Sequence, residues 1–234
     1  MTAEGPDLQS AARGAAATAA LELVEPGMAL GLGSGRALWA VVEGIGRRWP
    51  HGPPVRAVAA SERTAELARA AGIELAELDG ELELDLALDG ADELDDRLGL
   101  VKGGGGALLR EKIVICAARR FVVVAEERKR VDRLGRAFRL PVEIVPFAWR
   151  DTRARVVKLV EDALLREDEG APYLTDEGHW ILDCRVREEG DLRELAADLD
   201  GTVGVVEHGL FLDMAAAALL GRDDGSVAEL VTGT

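Results

Sequence analysis

The sequence predicts an α/β protein in which a mostly parallel sheet carries a smaller inserted α+β unit. Three observations predict it. Short apolar runs alternate with helical patterns through residue 125; the order then changes to strand, helix, two strands, helix, strand; and glycines or acids punctuate the ends of the apolar runs.

Taken in order, residues 8–23 are alanine-rich and helical in pattern, stopping before Glu25-Pro26-Gly27. Residues 28–32 are a short apolar run that enters the turn Gly31-Leu-Gly-Ser-Gly35. Residues 36–48 then repeat Ala37, Leu38, Val41, Val42 and Ile45 on one helical side. A strand at 55–60, a helix at 62–71 stopped by Gly72, and a strand at 73–78 follow. Leu84 to Leu88 is another apolar strand, and it runs directly into Asp89. Residues 107–118 are helical in pattern and 121–125 strand-like. This alternation describes a Rossmann-like sheet, whose ligands bind beyond the carboxyl ends of the strands, where the 31–35 turn and Asp89 fall. Further on, 142–148 reads as a strand and 152–166 as a helix. Two strands, 171–175 and 180–186, flank Asp176-Glu-Gly178, and a helix at 191–199 capped by Asp191 leads to a strand at 202–207. That βαββαβ order is the ferredoxin-like plan. It divides the chain into a larger α/β domain, 1–134 plus 208–234, and a smaller domain, 135–207.

The 234 residues suffice for one large or two small domains. A formal charge of −15 argues against nucleic acid as a partner, since such binding needs a basic footprint. No apolar run reaches the length of a membrane span, and the N-terminus lacks a basic region followed by an apolar one, so no membrane partner is expected. Cys116 and Cys184 form no CxxC pair and lie in apolar periodic segments, which suits a reducing, cytoplasmic compartment. Only four of the 28 basic residues are lysines: Lys102, Lys112, Lys129 and Lys158. In so arginine-rich a chain, each marks either a place that needs a compact point charge or a surface position kept by chance.

Four segments are candidates for chemistry. Gly33, Ser34 and Gly35 join a strand to a helix, so backbone N–H groups there suit an anion; a tight turn needing only small residues is the alternative. The spacing is not a dinucleotide fingerprint, because the third glycine would fall at Arg36 or Leu38. Asp89-Gly-Ala-Asp92-Glu93 places acids at a strand end, which fits a divalent cation, acid–base work, or a solvated acidic turn. EF-hand spacing is absent, and His51, His179 and His208 are far apart in sequence. The run Lys102-Gly103-Gly104-Gly105-Gly106 carries a large conformational-entropy cost, tolerable where backbone must lie against a ligand. Lys102 offers a cation to an oxyanion or phosphate. Glu111 shares a small, apolar helical side with Ala107, Ile115 and Ala118, a setting that raises a carboxyl pKa as a general base requires; an acid complementing the helix dipole is the alternative.

Together, GLGSG (31–35), SERTAELARAAGI (61–73), DGADE (89–93), LVKGGGGALLREKI (100–113), PVEIVP (141–146), TDEGHWILD (175–183) and GVVEHGLF (204–211) resemble the type A ribose-5-phosphate isomerase family. The resemblance implies a metal-independent, cofactor-free aldose–ketose isomerase of the non-oxidative pentose phosphate pathway, acting on a small sugar phosphate as a homodimer or homotetramer. It implies that Glu111 shuttles a proton between C1 and C2 through a cis-enediolate, that Asp89 and Asp92 handle hydroxyls and ring opening, and that Lys102 steadies the oxyanion. It also assigns Lys129 to phosphate and places Arg13 where another basic residue is expected.

One segment departs from the family pattern. Its phosphate loop usually reads Gly-Thr-Gly-Ser-Thr, whereas this chain has Gly33-Ser34-Gly35-Arg36-Ala37. Arg36 either replaces the lost hydroxyls with a charge-assisted contact or projects outward, leaving the phosphate weakly held or the site fitted to another sugar. Two other classes compete. A non-catalytic sugar-phosphate sensor predicts loss of Glu111 or Lys102, yet both are present, and an acyl-CoA transferase needs a larger framework.

Overall fold

The computed structural model describes residues 8–231. The chain begins with α1 (Leu8–Leu21), β1 (Ala29–Leu32), α2 (Arg36–Arg48), β2 (Arg56–Ala59), α3 (Glu62–Ala70), β3 (Glu74–Leu75) and β4 (Leu86–Asp89). Next come β5 (Glu93–Leu94), β6 (Leu100–Val101), α4 (Leu108–Cys116) and β7 (Phe121–Glu126). The second half holds β8 (Leu140–Ile144), α5 (Trp149–Val156), β9 (Asp162–Leu165), β10 (Glu167–Asp168), β11 (Ala171–Pro172), β12 (Trp180–Arg185) and α6 (Leu192–Asp200). It closes with β13 (Val205–His208), β14 (Leu210–Phe211), β15 (Ala217–Gly221) and β16 (Val227–Val231).

The main sheet runs β16-β15-β7-β4-β1-β2-β3, parallel throughout except for the antiparallel edge strand β16. Successive connections lead to opposite sides of the β1–β4 boundary, so a crevice opens beyond the carboxyl ends of those two strands. Period-two alternation then decides which side chains meet which layer. Leu30, Leu32, Leu86, Leu88, Val122 and Val124 face α1 and α2, in a core with Ala16, Leu38, Val41 and Ile45. Ala87, Phe121, Val123 and Ala125 face the other way, in a core with Leu108 and Ile115 of α4. By the same alternation Gly31, Gly33 and Asp89 belong to the α4 side. A Cβ at Gly31 would lie 2.6 Å from Val114 of α4, and one at Gly33 would lie 1.8 Å from the Asp89 carboxylate carbon. Glycine at these two positions is therefore what lets α4 and Asp89 close on β1.

A second sheet, ordered β13-β8-β12-β9 and antiparallel at every pairing, has the ferredoxin-like order. Leu140, Val142 and Ile144 of β8 pack with Val156 and Leu199 from α5 and α6. The opposite side of this sheet meets α4, where Lys112 reaches Glu207 on β13 at 2.5 Å. α4 is thus clamped between two sheets. A small three-stranded sheet, β14-β6-β5, links them.

Three expectations need correction. The helix expected at 152–166 is α5, ending at Val156, and residues 162–165 form β9 instead. Apolar residues there fit a helical period, but pairing of Ala163 with Cys184 and Leu165 with Leu182 on the edge of β12 wins. The strand expected at 171–175 shrinks to Ala171–Pro172 and pairs with Glu167–Asp168, because the turn through Glu169 (φ 50°) and Gly170 (φ 81°) folds it into its own hairpin. β9, rather than 171–175, fills the second strand position of the βαββαβ order. The strand at 142–148 stops at Ile144, ahead of Pro146 and a left-handed Ala148 (φ 52°).

Glu93 ties this junction together. Its buried carboxylate accepts from the amides of Gly135 at 2.6 Å, Ala137 at 2.8 Å and Phe138 at 2.6 Å. Glu93→Ala is expected to lower the unfolding free energy by about 3 kcal/mol, because three amides lose their acceptor at once; a chemical denaturation curve reads the change.

Candidate active site

At the crevice the end of β4, the residue following β6 and the N-terminal part of α4 bring three charges together. The Lys102 ammonium lies 2.8 Å from Asp89 Oδ2 and 3.2 Å from Glu111 Oε2. All three side chains are nearly out of solvent: Asp89 is 1% exposed, Lys102 3% and Glu111 5%. The best-directed ammonium proton goes to the Gly90 carbonyl at 2.7 Å. Asp89 Oδ2 and Glu111 Oε2 receive charge from Lys102 but no aligned hydrogen bond, so each keeps lone pairs to offer. Asp89 Oδ1 is fixed by the amides of Ser34 at 3.0 Å and Gly90 at 2.7 Å.

Burial dominates the ionisation of this cluster. It lifts Glu111 to about 8, with help from the Asp89 charge and against the pull of Lys102. Burial also raises Asp89, again against Lys102. For Lys102, burial acts against the charged form, but Asp89 and Glu111 outweigh it and hold the ammonium above its ordinary range. A carboxyl that titrates near neutrality beside a fixed cation is suited to taking and returning a proton.

A cavity of about 210 Å³ opens over this cluster. Glu111, Lys102, Asp92 and Gly103 to Gly105 line one part; Ser34, Gly35, Arg36, Ala37, Arg13 and Lys129 line the other. Asp92 lies in the lining with Oδ2 bonded to the Gly104 amide at 2.7 Å. Asp89 does not line the cavity; it sits beneath, behind Gly33 and Gly90.

At the second part, the amides of Gly33 and Ser34 are already used, on the Leu88 carbonyl at 3.0 Å and on Asp89. Gly33 itself is needed for close approach to Asp89. The anion cradle expected at 33–35 therefore begins at Gly35, the cap of α2, where no side chain covers the first helical amides. Arg36 and Lys129 have no ion-pair partner among the described residues. Arg13 does: it reaches Glu126 Oε1 through Nε at 3.2 Å and Nη2 at 3.0 Å.

Sequence reasoning missed Trp39 and Glu126, which also line the cavity. Trp39 is held by its indole N–H on Thr64 Oγ1 at 3.1 Å, and Thr64 Oγ1 in turn donates to the Gly33 carbonyl at 2.8 Å. Neither residue stands in a recognisable motif, and the partner of Glu126 is 113 positions away. The histidines, far apart in sequence, stay apart in function. His208 does meet Asp200 and Glu207. Its Nδ1 accepts the Leu210 amide at 3.2 Å, so Nε2, 3.2 Å from Asp200, carries the proton and has no lone pair for a cation.

The model of the ribose 5-phosphate isomerase A (phosphoriboisomerase A) family matches residues 56–225. The chain belongs to this family. Ribose-5-phosphate isomerase A of Synechococcus sp. (strain JA-3-3Ab) is 48% identical over 214 residues, 90% of this chain and 93% of its own. That of Shouchella clausii (strain KSM-K16) is 47% identical over 210 residues, with 90% and 92% covered. The solved ribose 5-phosphate isomerase A of Methanocaldococcus jannaschii matches with a TM-score of 0.89 at 34% identity, covering 95% of this chain and 99% of that one. A D-ribose-5-phosphate isomerase solved in complex with phospho-erythronic acid gives 0.89 at 32% identity, covering 95% and 98%.

The raised Glu111 pKa has a stability consequence. A carboxyl shifted upward on folding favours the native state below its unfolded value, and that stabilisation is lost as pH rises through the folded value, here from near 4.5 to about 8. Glu111→Gln, which cannot ionise, is expected to gain stability relative to the parent between pH 5 and pH 9. Melting temperatures of both proteins across that range would show a constant difference if Glu111 were not shifted.

Proposed function

We propose that this protein interconverts D-ribose 5-phosphate and D-ribulose 5-phosphate, a step of the non-oxidative pentose phosphate pathway, by proton transfer through a cis-enediolate. The observation that carries the reading is the buried Glu111–Lys102 pair, with Glu111 lifted to about 8, at the floor of a cavity whose other part holds Arg36 and Lys129, neither with an ion-pair partner among the described residues. Glu111 removes the proton from C2 of the open-chain aldose and returns it at C1. The C2–H electron pair forms the C1=C2 double bond and the carbonyl π pair moves onto O1, where the Lys102 ammonium balances the charge; the O2 hydroxyl proton passes to O1, so that protonation at C1 leaves the carbonyl at C2. Asp92, in the lining, accepts from sugar hydroxyls and assists ring opening. Asp89 acts from beneath by fixing Lys102. The phosphate is held by the free amides at the start of α2, the Ser34 hydroxyl, Arg36 and Lys129, with Arg13 contributing through its pair with Glu126.

The same reading extends to organisation. The four-stranded sheet, with a core drawn mostly from residues between Leu140 and Leu199 and closed by Val101, Leu134 and Leu210, supports a smaller domain at 135–207 set into a catalytic one of 1–134 plus 208–234. Exposed Phe147 (87%) and Val203 (77%) support assembly as a homodimer or homotetramer. Two free thiols suit a cytoplasmic setting.

The test is formation of ribulose 5-phosphate from ribose 5-phosphate, with and without EDTA. Activity is expected to survive the chelator and to fall by about 10³-fold or more in Glu111→Gln, the scale of losing a positioned acid–base group. Retained turnover in that variant removes Glu111 from the base role. For the phosphate end, Arg36→Ser is expected to raise KM for ribose 5-phosphate about tenfold, the scale of one charge-assisted contact, with little effect on kcat. An unchanged KM means that Arg36 points away from the phosphate.

A further inference from the structure

The glycine run beside Lys102 is the least self-supporting part of the site, yet its backbone is held. Gly103 and Gly104 direct their carbonyls at one guanidinium, Arg166 Nη1, at 2.9 Å and 3.1 Å. The next carbonyl, Gly105, accepts from the Tyr173 hydroxyl at 3.0 Å. Burial raises the Tyr173 pKa, which keeps this hydroxyl protonated as a donor. Arg166 is itself braced: Nε donates to Asp183 Oδ2 at 2.9 Å, Nη2 pairs with Asp183 Oδ1, and the guanidinium lies 5.7 Å from the centre of the Tyr173 ring. Side chains at two of these glycines would break the fit. A Cβ at Gly106 would lie 2.4 Å from the Tyr173 hydroxyl oxygen, and one at Gly104 would lie 2.8 Å from an Asp92 carboxylate oxygen.

The direction of these carbonyls decides what the loop presents. In a trans peptide the C=O and the following N–H point opposite ways. Anchoring Gly103 O to Arg166 turns the Gly104 amide toward Asp92, where it bonds at 2.7 Å. Anchoring Gly104 O to the same guanidinium turns the Gly105 amide away from Arg166, and no acceptor among the described residues takes it. Tyr173, by holding Gly105 O, turns the Gly106 amide back onto Gly103 O at 3.0 Å and closes the turn.

From this geometry we infer that Arg166, braced by Asp183, and Tyr173 are positioning residues for the isomerisation: from the four-stranded sheet and the adjoining hairpin they clasp three successive glycine carbonyls, orient Asp92 through the Gly104 amide, and leave the Gly105 amide free as a hydrogen-bond donor to a substrate oxygen. Neither side chain lines the cavity; both act through the backbone. The inference rests on the isomerase reading and deepens it. It gives the four-stranded sheet a catalytic task, since β9 leads into Arg166 and β12 carries Asp183. Arginine is required rather than any cation, because one planar fork must reach two carbonyls and a carboxylate together.

The experiment measures kcat and KM for ribose 5-phosphate in the parent, Arg166→Gln, Arg166→Lys and Tyr173→Phe. In parallel, hydrogen exchange is followed at the Gly104 and Gly106 amides. Arg166→Gln is expected to lower kcat on the order of 100-fold, the cost of about 1 Å of misplacement at a site, with KM moving much less. Lys is expected not to rescue it. Tyr173→Phe, which keeps the ring packed on Gly106 and removes only the hydroxyl, is expected to lower kcat about fivefold, the scale of one neutral hydrogen bond, at an unchanged melting temperature. Both amides should exchange faster in Arg166→Gln and Tyr173→Phe. Parental kcat in these two variants, or full recovery in Arg166→Lys, overturns the positioning role. Should the parent itself not turn over ribose 5-phosphate, the isomerase reading fails first, and unchanged exchange at Gly104 and Gly106 would still refute the clasp.

Discussion

The ammonium of Lys102 between two buried carboxylates is the constraint from which the rest of the site follows. Taking any one of these charges out of water alone would cost several kcal/mol. Three together, with a net charge of −1 when all are ionised, leave the cluster with one carboxylate more than its cation can balance. The excess falls on Glu111, lifted by burial and then by Asp89. A group held that way is half-ready to accept a proton and half-ready to release one, which an isomerase needs in a single turnover. Closeness makes the arrangement work. Asp89 reaches Lys102 only because Gly33 has no side chain, and α4 brings Glu111 in only because Gly31 has none.

The second sheet stabilises that closeness from the other side. Lys112, one residue past Glu111, bonds Glu207 at 2.5 Å and the His208 carbonyl at 2.8 Å, pinning α4 to β13. The Lys102 amide donates to the Gly209 carbonyl at 2.9 Å, so the segment after β13 also fixes the backbone of the cationic residue. Phe211 fills the space between them, with the Lys102 and Lys112 ammoniums 5.5 and 4.8 Å from its ring centre. An aromatic face is one of the few apolar surfaces that tolerates a buried cation. The GVVEHGLF segment (204–211) is thus scaffolding for two of the four lysines kept in this arginine-rich chain, Lys102 and Lys112.

Much of the site was legible because its residues sit in short runs with unusual composition. Four consecutive glycines after a lysine, acids directly after an apolar strand, and a glutamate on a small helical side each carry a physical reason within a few residues. The supporting groups were not legible in this way. Arg166 and Asp183 look like ordinary surface charges, and the contact of Arg166 with Gly103 spans 63 positions. Glu93 seemed a member of the acidic cluster, yet it is spent on three amides of the 135–138 turn. The helix expected through 152–166 failed for a related reason: the partner that makes 162–165 a strand is the free edge of β12.

By itself the sequence determined the period of most elements and the runs that single out Glu111, Lys102, Asp89 and Asp92 as candidates, since these depend on local pattern and intrinsic chemistry. Tertiary structure alone decided which of these groups lose water, and so which pKa moves. It put Asp89 beneath the cavity and Asp92 in its lining, and it turned the carbonyls of the glycine run toward Arg166 and Tyr173. Desolvation and the direction of a peptide dipole are properties of what surrounds a residue, and those surroundings come from segments that meet only when the two sheets close on α4.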